Sequence, residues 1–378
     1  MKKVILAPDS FKETMSSSEI CRILAAGIHA HYPDAAVLSI PVADGGEGSV
    51  DAFLTAAGGR KVKVRVSGPH LEEIESFYGL LDGGQTAVIE MAACAGLPLT
   101  QGNPHVETAS TYGVGQLIAH AAAQGCRKII VGLGGSATND FGAGAAAALG
   151  IRFLDAQGCA FLPVGESLSR IRRIDRSGLL PALEEIELIA MCDIDNPLFG
   201  ETGAAYVFAP QKGAGPEVVR LLDEQLRAVS QTVQQELGRD IAQVPGAGAA
   251  GGMGGGLTAL LNARLQMGIE TVLDTVGFDR LLDDTDLVIT GEGKLDTQSL
   301  RGKVVVGVAR RCKPRGVPVV AMVGDIGDGI EMVYDEGVSA VFSINRAAVD
   351  FFVAKTRSRE DLALTIDNLM RFLRQIGF

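Results

Sequence analysis

The chain has 378 residues, of which 47% are hydrophobic and 21% charged, and its formal net charge is −11. That length fits two domains, each able to bury a sizeable core. An acidic chain with no basic stripe excludes a binder of nucleic-acid backbone, and no stretch of about 18 apolar residues offers a membrane-spanning helix.

The elements follow one another as short apolar runs alternating with helical patterns. Residues 4–6, Val-Ile-Leu behind Lys2 and Lys3, form a run too short for a signal peptide and read as a first strand. Ser16 and Glu19 have capping-box spacing, and Ile20, Ile23, Leu24 and Ile28 then recur at helical period. A strand is expected at 37–42, a helix at 48–57 and a third, alternating strand at 61–66. Together these read as βαβαβ, the unit of a parallel sheet. Residues 76–81 and 86–91 flank Asp82-Gly83-Gly84, a hairpin signal.

Beyond the hairpin, a helix is expected at 113–123, a strand at 128–131, a glycine loop, and a helix at 143–149. A strand at 186–191 runs into Cys192-Asp193-Ile194-Asp195-Asn196-Pro197, and a long helix covers 216–237. The glycine-rich run 246–256 reads either as an interdomain linker or as a loop approaching phosphate ahead of a helix. Clean alternation then returns, with strands at 286–290, 317–323 and 338–344 and helices at 303–311 and 360–373. The expected fold class is α/β. Both chain ends (1–66 and 270–378) build a Rossmann-like parallel-sheet domain, residues 67–269 form an inserted mixed α/β domain, and the active site lies in the cleft between them.

Four loops follow predicted strands, where open α/β sheets bind ligands. They are Asp9-Ser10-Phe11-Lys12, Asp44-Gly45-Gly46-Glu47-Gly48, Gly134-Gly135-Ser136-Ala137-Thr138-Asn139-Asp140 and Gly291-Glu292-Gly293-Lys294-Leu295-Asp296. Glycine lets backbone N–H groups approach phosphate, lysine neutralises a transferring group, and carboxylates hold Mg²⁺ or accept a hydroxyl proton. Each loop alone is ordinary turn or surface chemistry; four at strand ends point to phosphoryl transfer. No GxxxxGK[ST], no GxGxxG after the first strand and no GxSxG is present, and Asp140-Phe141-Gly142 has no HRD partner. The six cysteines (Cys21, Cys94, Cys126, Cys159, Cys192, Cys312) include no CxxC pair and read as thiols in a reducing cytoplasm.

Taken together, APDSFKETMSS, PVADGGEGSVDAF, GLGGSATNDFGAG, CDIDNPLFG, FAPQKGA and TGEGKLDTQSLRGK resemble the type 1 glycerate kinase family, in the family's order and over roughly residues 1–310. The resemblance implies ATP and Mg²⁺ as co-substrate and metal, D-glycerate as acceptor and 2-phosphoglycerate as product. One position departs: Phe141 stands where the family pattern expects glycine, and a bulky residue narrows the loop's conformations.

Carried onto this chain, the resemblance makes Lys12 and Lys294 anion contacts in the catalytic set. Asp9, Ser10, Asp44, Gly45, Gly46, Glu47 and Asn196 become glycerate-side residues. Gly134, Gly135, Ser136 and Thr138 become a phosphate, nucleotide or substrate cradle, and Gly291 and Gly293 become phosphate or nucleotide contacts. Glu292 and Asp296 are the metal-side carboxylates. Asp193, directly after a buried-looking strand, is favoured over Asp296 as the general base. Three readings stay open on the residues alone: 3-phosphoglycerate as product, a kinase for another hydroxy or sugar acid, and a non-catalytic sensor of small molecules.

Overall fold

The computed structural model describes residues 1–11, 14–42, 45–297, 299 and 303–378. The chain divides into two compact units. One comprises Met1–Ala43, Thr55–Ala57 and Met267–Phe378; the other comprises Asp44–Leu54 and Gly58–Gln266.

The terminal unit is built on a five-stranded, wholly parallel sheet, ordered Ala340–Ser343, Val319–Val323, Leu287–Gly291, Lys3–Pro8, Ala36–Ser39. Its central strands are continuous apolar runs because both faces are covered. Val4, Leu6, Leu287, Ile289, Val320 and Met322 form one cluster with the helices Ser17–His31 and Phe351–Gln375. Helix Val304–Cys312 lies against the strands Lys3–Pro8 and Leu287–Gly291 without joining that cluster, so it covers the alternate residues Ile5 and Val288. Neighbouring parallel strands are thus followed by helices on opposite faces. The loops that follow at Asp9 and Gly291 lead to helices on opposite faces of the sheet, and such a switch point is where open sheets bind ligands.

The inserted unit carries a six-stranded mixed sheet, ordered Arg264–Gln266, Glu187–Met191, Lys128–Gly132, Thr86–Glu90, Glu73–Leu81, Arg60–Ser67. The first four strands are parallel and the last two pair antiparallel. This corrects the opening βαβαβ reading. Arg60–Ser67 pairs antiparallel with Glu73–Leu81 and belongs to the inserted unit, not to the terminal parallel sheet. The physical sign was in its own alternation: Val62, Val64 and Val66 turn inward while Arg60, Lys61, Lys63 and Arg65 are exposed, as in an antiparallel strand with one wet face.

The hairpin through Asp82-Gly83-Gly84 and the helix Pro216–Leu237 form where the pattern put them. A small sheet of Ala160–Phe161, Arg152–Leu154 and Arg173–Asp175, too short for any period to register, was not foreseen. Residues 246–256 are not a linker. Every one is buried, and they lead into helix Ala249–Leu261, whose start is bent at Ala250, Gly251 and Gly252 by left-handed backbone. Their smallness serves close packing, since a Cβ on Gly251 would lie 2.2 Å from the Thr138 carbonyl oxygen and one on Gly248 2.3 Å from that of Pro197.

Candidate active site

In the inserted unit, parallel strands deliver three loops to one sheet edge, and backbone bonds stitch them together. Gly134 N–H donates to Gly45 O (3.0 Å), Leu133 N–H to Met191 O (3.1 Å) and Met91 N–H to Gly132 O (3.1 Å). The crossing of the 45–46 segment over 132–134 is possible only between glycines. A Cβ on Gly132 would sit 2.4 Å from Gly45 O, and one on Gly134 would sit 2.6 Å from Gly46 Cα and N. Gly45 itself is left-handed, with φ +85°. Gly135 and Ser136 pair with the 95–97 segment through Leu97 N–H to Gly135 O (3.0 Å) and Ala137 N–H to Ala95 O (2.8 Å). Glu47 is exposed beside this crossing. The structure therefore brings Gly45, Gly46, Gly134, Gly135 and Ser136 together, with Asp193 half-buried just beyond the end of the adjacent strand Glu187–Met191.

Beyond Ser136 the chain plunges into the core. Thr138, Asn139 and Asp140 are fully buried. The Asp140 carboxylate accepts from Thr111 N–H and Oγ1 (both 2.8 Å), Gly142 N–H (3.1 Å) and Gly144 N–H (3.2 Å), yet burial still raises its pKa. Lys212 is buried too, and its Nζ donates to the Thr138 carbonyl at 2.6 Å. Burial pulls the Lys212 pKa down to about 7, against the opposing charge of Asp140. In contrast, Thr138 Oγ1 and both Oδ1 and Nδ2 of Asn139 have no hydrogen-bond partner among the described residues. Phe141 holds left-handed backbone at φ +59° with its ring fully buried, so the departure from glycine exchanges backbone strain for core packing. Asn196 uses its Nδ2 on the Thr202 carbonyl (2.8 Å), fixing its own loop.

In the terminal unit, the loops at the switch point carry the acids. Asp9 N–H donates to Gly291 O (2.8 Å), joining the two loops, and Asp9 Oδ1 accepts from Ser10 N–H (2.6 Å). Glu292 is buried, and its Oε1 has no hydrogen-bond partner among the described residues. Its pKa is pushed up to about 7 by burial and by the charges of Asp9 and Asp296, against a hydrogen bond from Ser299 and the charge of Lys303. Gly293 O accepts from Asp325 N–H (3.0 Å). Gly291 lies so close to the next strand that a Cβ would meet Met322 O at 2.0 Å. Lys294 is exposed, 3.9 Å from the Asp325 carboxylate. Among the described residues no three His, Cys, Asp or Glu side chains come together as a metal site. Lys12 and Asp44 lie outside the described residues.

Sequence reasoning passed over Lys212 and Asn139. Asn139 sat inside a loop already singled out, and Lys212 inside the quoted stretch FAPQKGA, but nothing local announces that a lysine will be buried.

A model of the glycerate kinase family matches residues 4–374. The chain belongs to the glycerate kinase family. It is 43% identical over 370 residues to the glycerate kinase of Bacillus cereus, covering 97% of each chain. It is 43% identical over 345 residues to the glycerate 2-kinase of Escherichia coli, covering 90% of each. The crystal structure of glycerate kinase 2 from Salmonella typhimurium LT2 superposes with a TM-score of 0.86 at 40% identity, over 99% of this chain and 98% of that one. The chain is thus an enzyme, a kinase with glycerate as acceptor and ATP as co-substrate. No helix among the described residues is long and apolar enough to cross a membrane.

Proposed function

We propose that the enzyme transfers the γ-phosphoryl group of ATP to the C2 hydroxyl of D-glycerate, giving 2-phosphoglycerate and ADP, with Mg²⁺. The observation that carries the choice of C2 is the 43% identity, over 90% of both chains, with a relative named glycerate 2-kinase.

The donor sets suggest a division of labour. Glu292 and Asp296 suit a divalent cation, because Glu292 is a buried carboxyl whose Oε1 has no hydrogen-bond partner among the described residues and which feels the charges of Asp9 and Asp296. Mg²⁺ is commonly held by one or two carboxylates together with phosphates and water, so an all-protein cage is not required. When bound there it would neutralise charge on the transferring phosphates. Gly291 and Gly293 would flank the nucleotide, and Lys294 and Lys12 would meet its phosphates. The loops of the inserted unit, with Gly45, Gly46, Gly134, Gly135, Ser136 and Thr138, would take glycerate. Asp193, at a strand end, would orient the acceptor hydroxyl and take its proton late in the transfer. The free cysteines suit a reducing cytoplasm.

The test is phosphorus NMR of the product formed from D-glycerate, ATP and Mg²⁺. A 2-phosphoglycerate resonance is expected, and a 3-phosphoglycerate resonance would overturn the choice of C2.

A further inference from the structure

Helix Ser49–Ala57 follows the 44–48 loop directly, and no side chain at its own N-cap holds its start. The N-cap position is Gly48, left-handed at φ +85°, and glycine has nothing with which to accept from the first-turn N–H groups. The acid of the first turn, Asp51, is exposed and turns to Lys61 at 2.8 Å. The cap comes from another element. Glu90, the last residue of the strand Thr86–Glu90, is buried, and its Oε1 accepts from Val50 N–H at 2.6 Å. Gly48 N–H also donates to this carboxylate. Burial raises the Glu90 pKa against these two bonds, so the carboxylate stands there at a cost in hydration.

The same strand end is tied into the crossing of the loops. Glu90 pairs with Gly132 in the parallel ladder, and Met91 N–H donates to Gly132 O at 3.1 Å. Gly132 is the residue against which Gly45 passes, with no room for a Cβ. The 45–48 segment is thus held at both ends from one place in the sheet, Gly45 against Gly132 and Gly134, and Gly48 against Glu90. Between these ends Ser49 Oγ donates to the Gly46 carbonyl at 2.7 Å and closes the turn.

We propose that Glu90 is a positioning residue for the glycerate site: by capping helix Ser49–Ala57 from the strand Thr86–Glu90, it fixes the Gly45-Gly46-Glu47-Gly48 loop against the Gly134-Gly135-Ser136 loop. This rests on the reading that gives those two loops to glycerate. Glu90 acts on the loop and not on the substrate, because its carboxylate already faces the N–H groups of residues 48 and 50. Those N–H groups in turn answer a carboxylate of the protein, so the loop acts through where it stands. The charge matters to the hold. A carboxylate brings two acceptor oxygens, and its bonds are about twice as strong as neutral ones. An amide of the same shape brings one acceptor oxygen and turns an NH₂ group toward the donors.

The experiment compares Glu90→Gln with Ala56→Gly, reading thermal denaturation together with kcat and KM for glycerate and for ATP. Glu90→Gln keeps the shape of the side chain, so it neither crowds nor empties the site. Ala56→Gly weakens the same helix in its last turn, away from the loop. In Glu90→Gln, kcat/KM for glycerate is expected to fall about tenfold, less than the roughly 10²-fold of a 1 Å misplacement because one acceptor remains. KM for glycerate should rise and KM for ATP should stay as it was. Ala56→Gly should lower Tm and keep both KM values. A cap that served stability alone would move Tm and leave the kinetics of the folded enzyme untouched. Unchanged kinetics for glycerate in folded Glu90→Gln would therefore overturn the proposal, and so would an equal loss in Ala56→Gly. If Glu90→Gln yields no folded protein, Glu90→Asp, which keeps the charge and shortens the reach by one methylene, is read in its place with the same expected loss. A rise confined to KM for ATP would overturn the proposal in a different way, by giving the 45–48 loop to the nucleotide.

Discussion

The crossing of the 45–46 segment over Gly134 makes a steric prediction that can be worked from coordinates. An alanine methyl at 134 would lie 2.6 Å from Gly46 Cα and N and 3.0 Å from Gly45 C, all backbone atoms that no rotamer change can remove. Ordinary carbon–carbon contact needs about 3.5–4.0 Å, so the two loops must part by roughly 1 Å. Gly134 is not among the left-handed glycines, so alanine brings no backbone strain of its own and the effect isolates the crossing. Overpacking of this kind costs about 1–3 kcal/mol. A displacement of about 1 Å in a site that positions substrate costs on the order of 10² in rate. Gly134→Ala should therefore lose about two decades of kcat/KM for glycerate in a coupled ADP-release assay, while thermal denaturation shows a folded protein. Gly83→Ala is the control: its φ is +62° but nothing lies within 4 Å of the added methyl. It should cost about 1 kcal/mol of stability and leave turnover alone. Full kcat/KM in Gly134→Ala would refute the argument that this crossing sets the geometry of the site.

Glu292 predicts a pH effect on stability in metal-free buffer. Its folded pKa of about 7 lies above the ordinary value of 4.5, so the stability it allows is whole below about pH 4.5 and declines as pH rises through 7. The decline is on the order of 3 kcal/mol, and Glu292→Gln should abolish it in urea titrations with chelator at pH 5 and pH 8. Asp193→Asn, assayed over a Mg²⁺ titration, should lose kcat at every concentration, whereas Asp296→Asn should recover in part as Mg²⁺ rises; recovery by Asp193→Asn instead reverses the two roles. Phe141→Gly relieves a left-handed φ worth about 1 kcal/mol but empties a fully buried aromatic site worth about 3–5. A net loss on the order of 3 kcal/mol in chemical denaturation is expected.

Much of the fold was legible because the terminal sheet writes itself as continuous apolar runs: Leu287–Gly291 and Val319–Val323 admit little but buried parallel strands. The strand Arg60–Ser67 was legible as a strand but not as a partner, since its alternating valines fix which face is buried and leave open which sheet receives it. The glycine run was misleading for a similar reason. Glycine allows both flexibility and the closest packing, and only the neighbours at Thr138 and Pro197 decide between them. In the site, the loops Asp9-Ser10, Gly45-Gly46, Gly134-Gly135 and Gly291-Glu292 could be found because strand ends advertise them. Lys212 could not, because its burial depends on residues 74 positions away. Nor could the burial of Asn139 without a side-chain partner among the described residues, which depends on the tertiary packing around it.

The strand Lys3–Pro8 lies between Ala36–Ser39 and Leu287–Gly291, and the hydrogen bond from Thr290 Oγ1 to the Ala7 carbonyl spans 283 positions. Chains are made from the amino end at about 5–20 residues per second, so this strand waits roughly 15–60 s for its second neighbour. The whole inserted unit emerges within that interval and can complete its own sheet first. For that time Val4, Ile5 and Leu6, which end fully buried, stand at an open edge that invites pairing with another chain. Any product that stops before residue 287 keeps that edge permanently, so premature termination yields a folded middle joined to an aggregation-prone beginning.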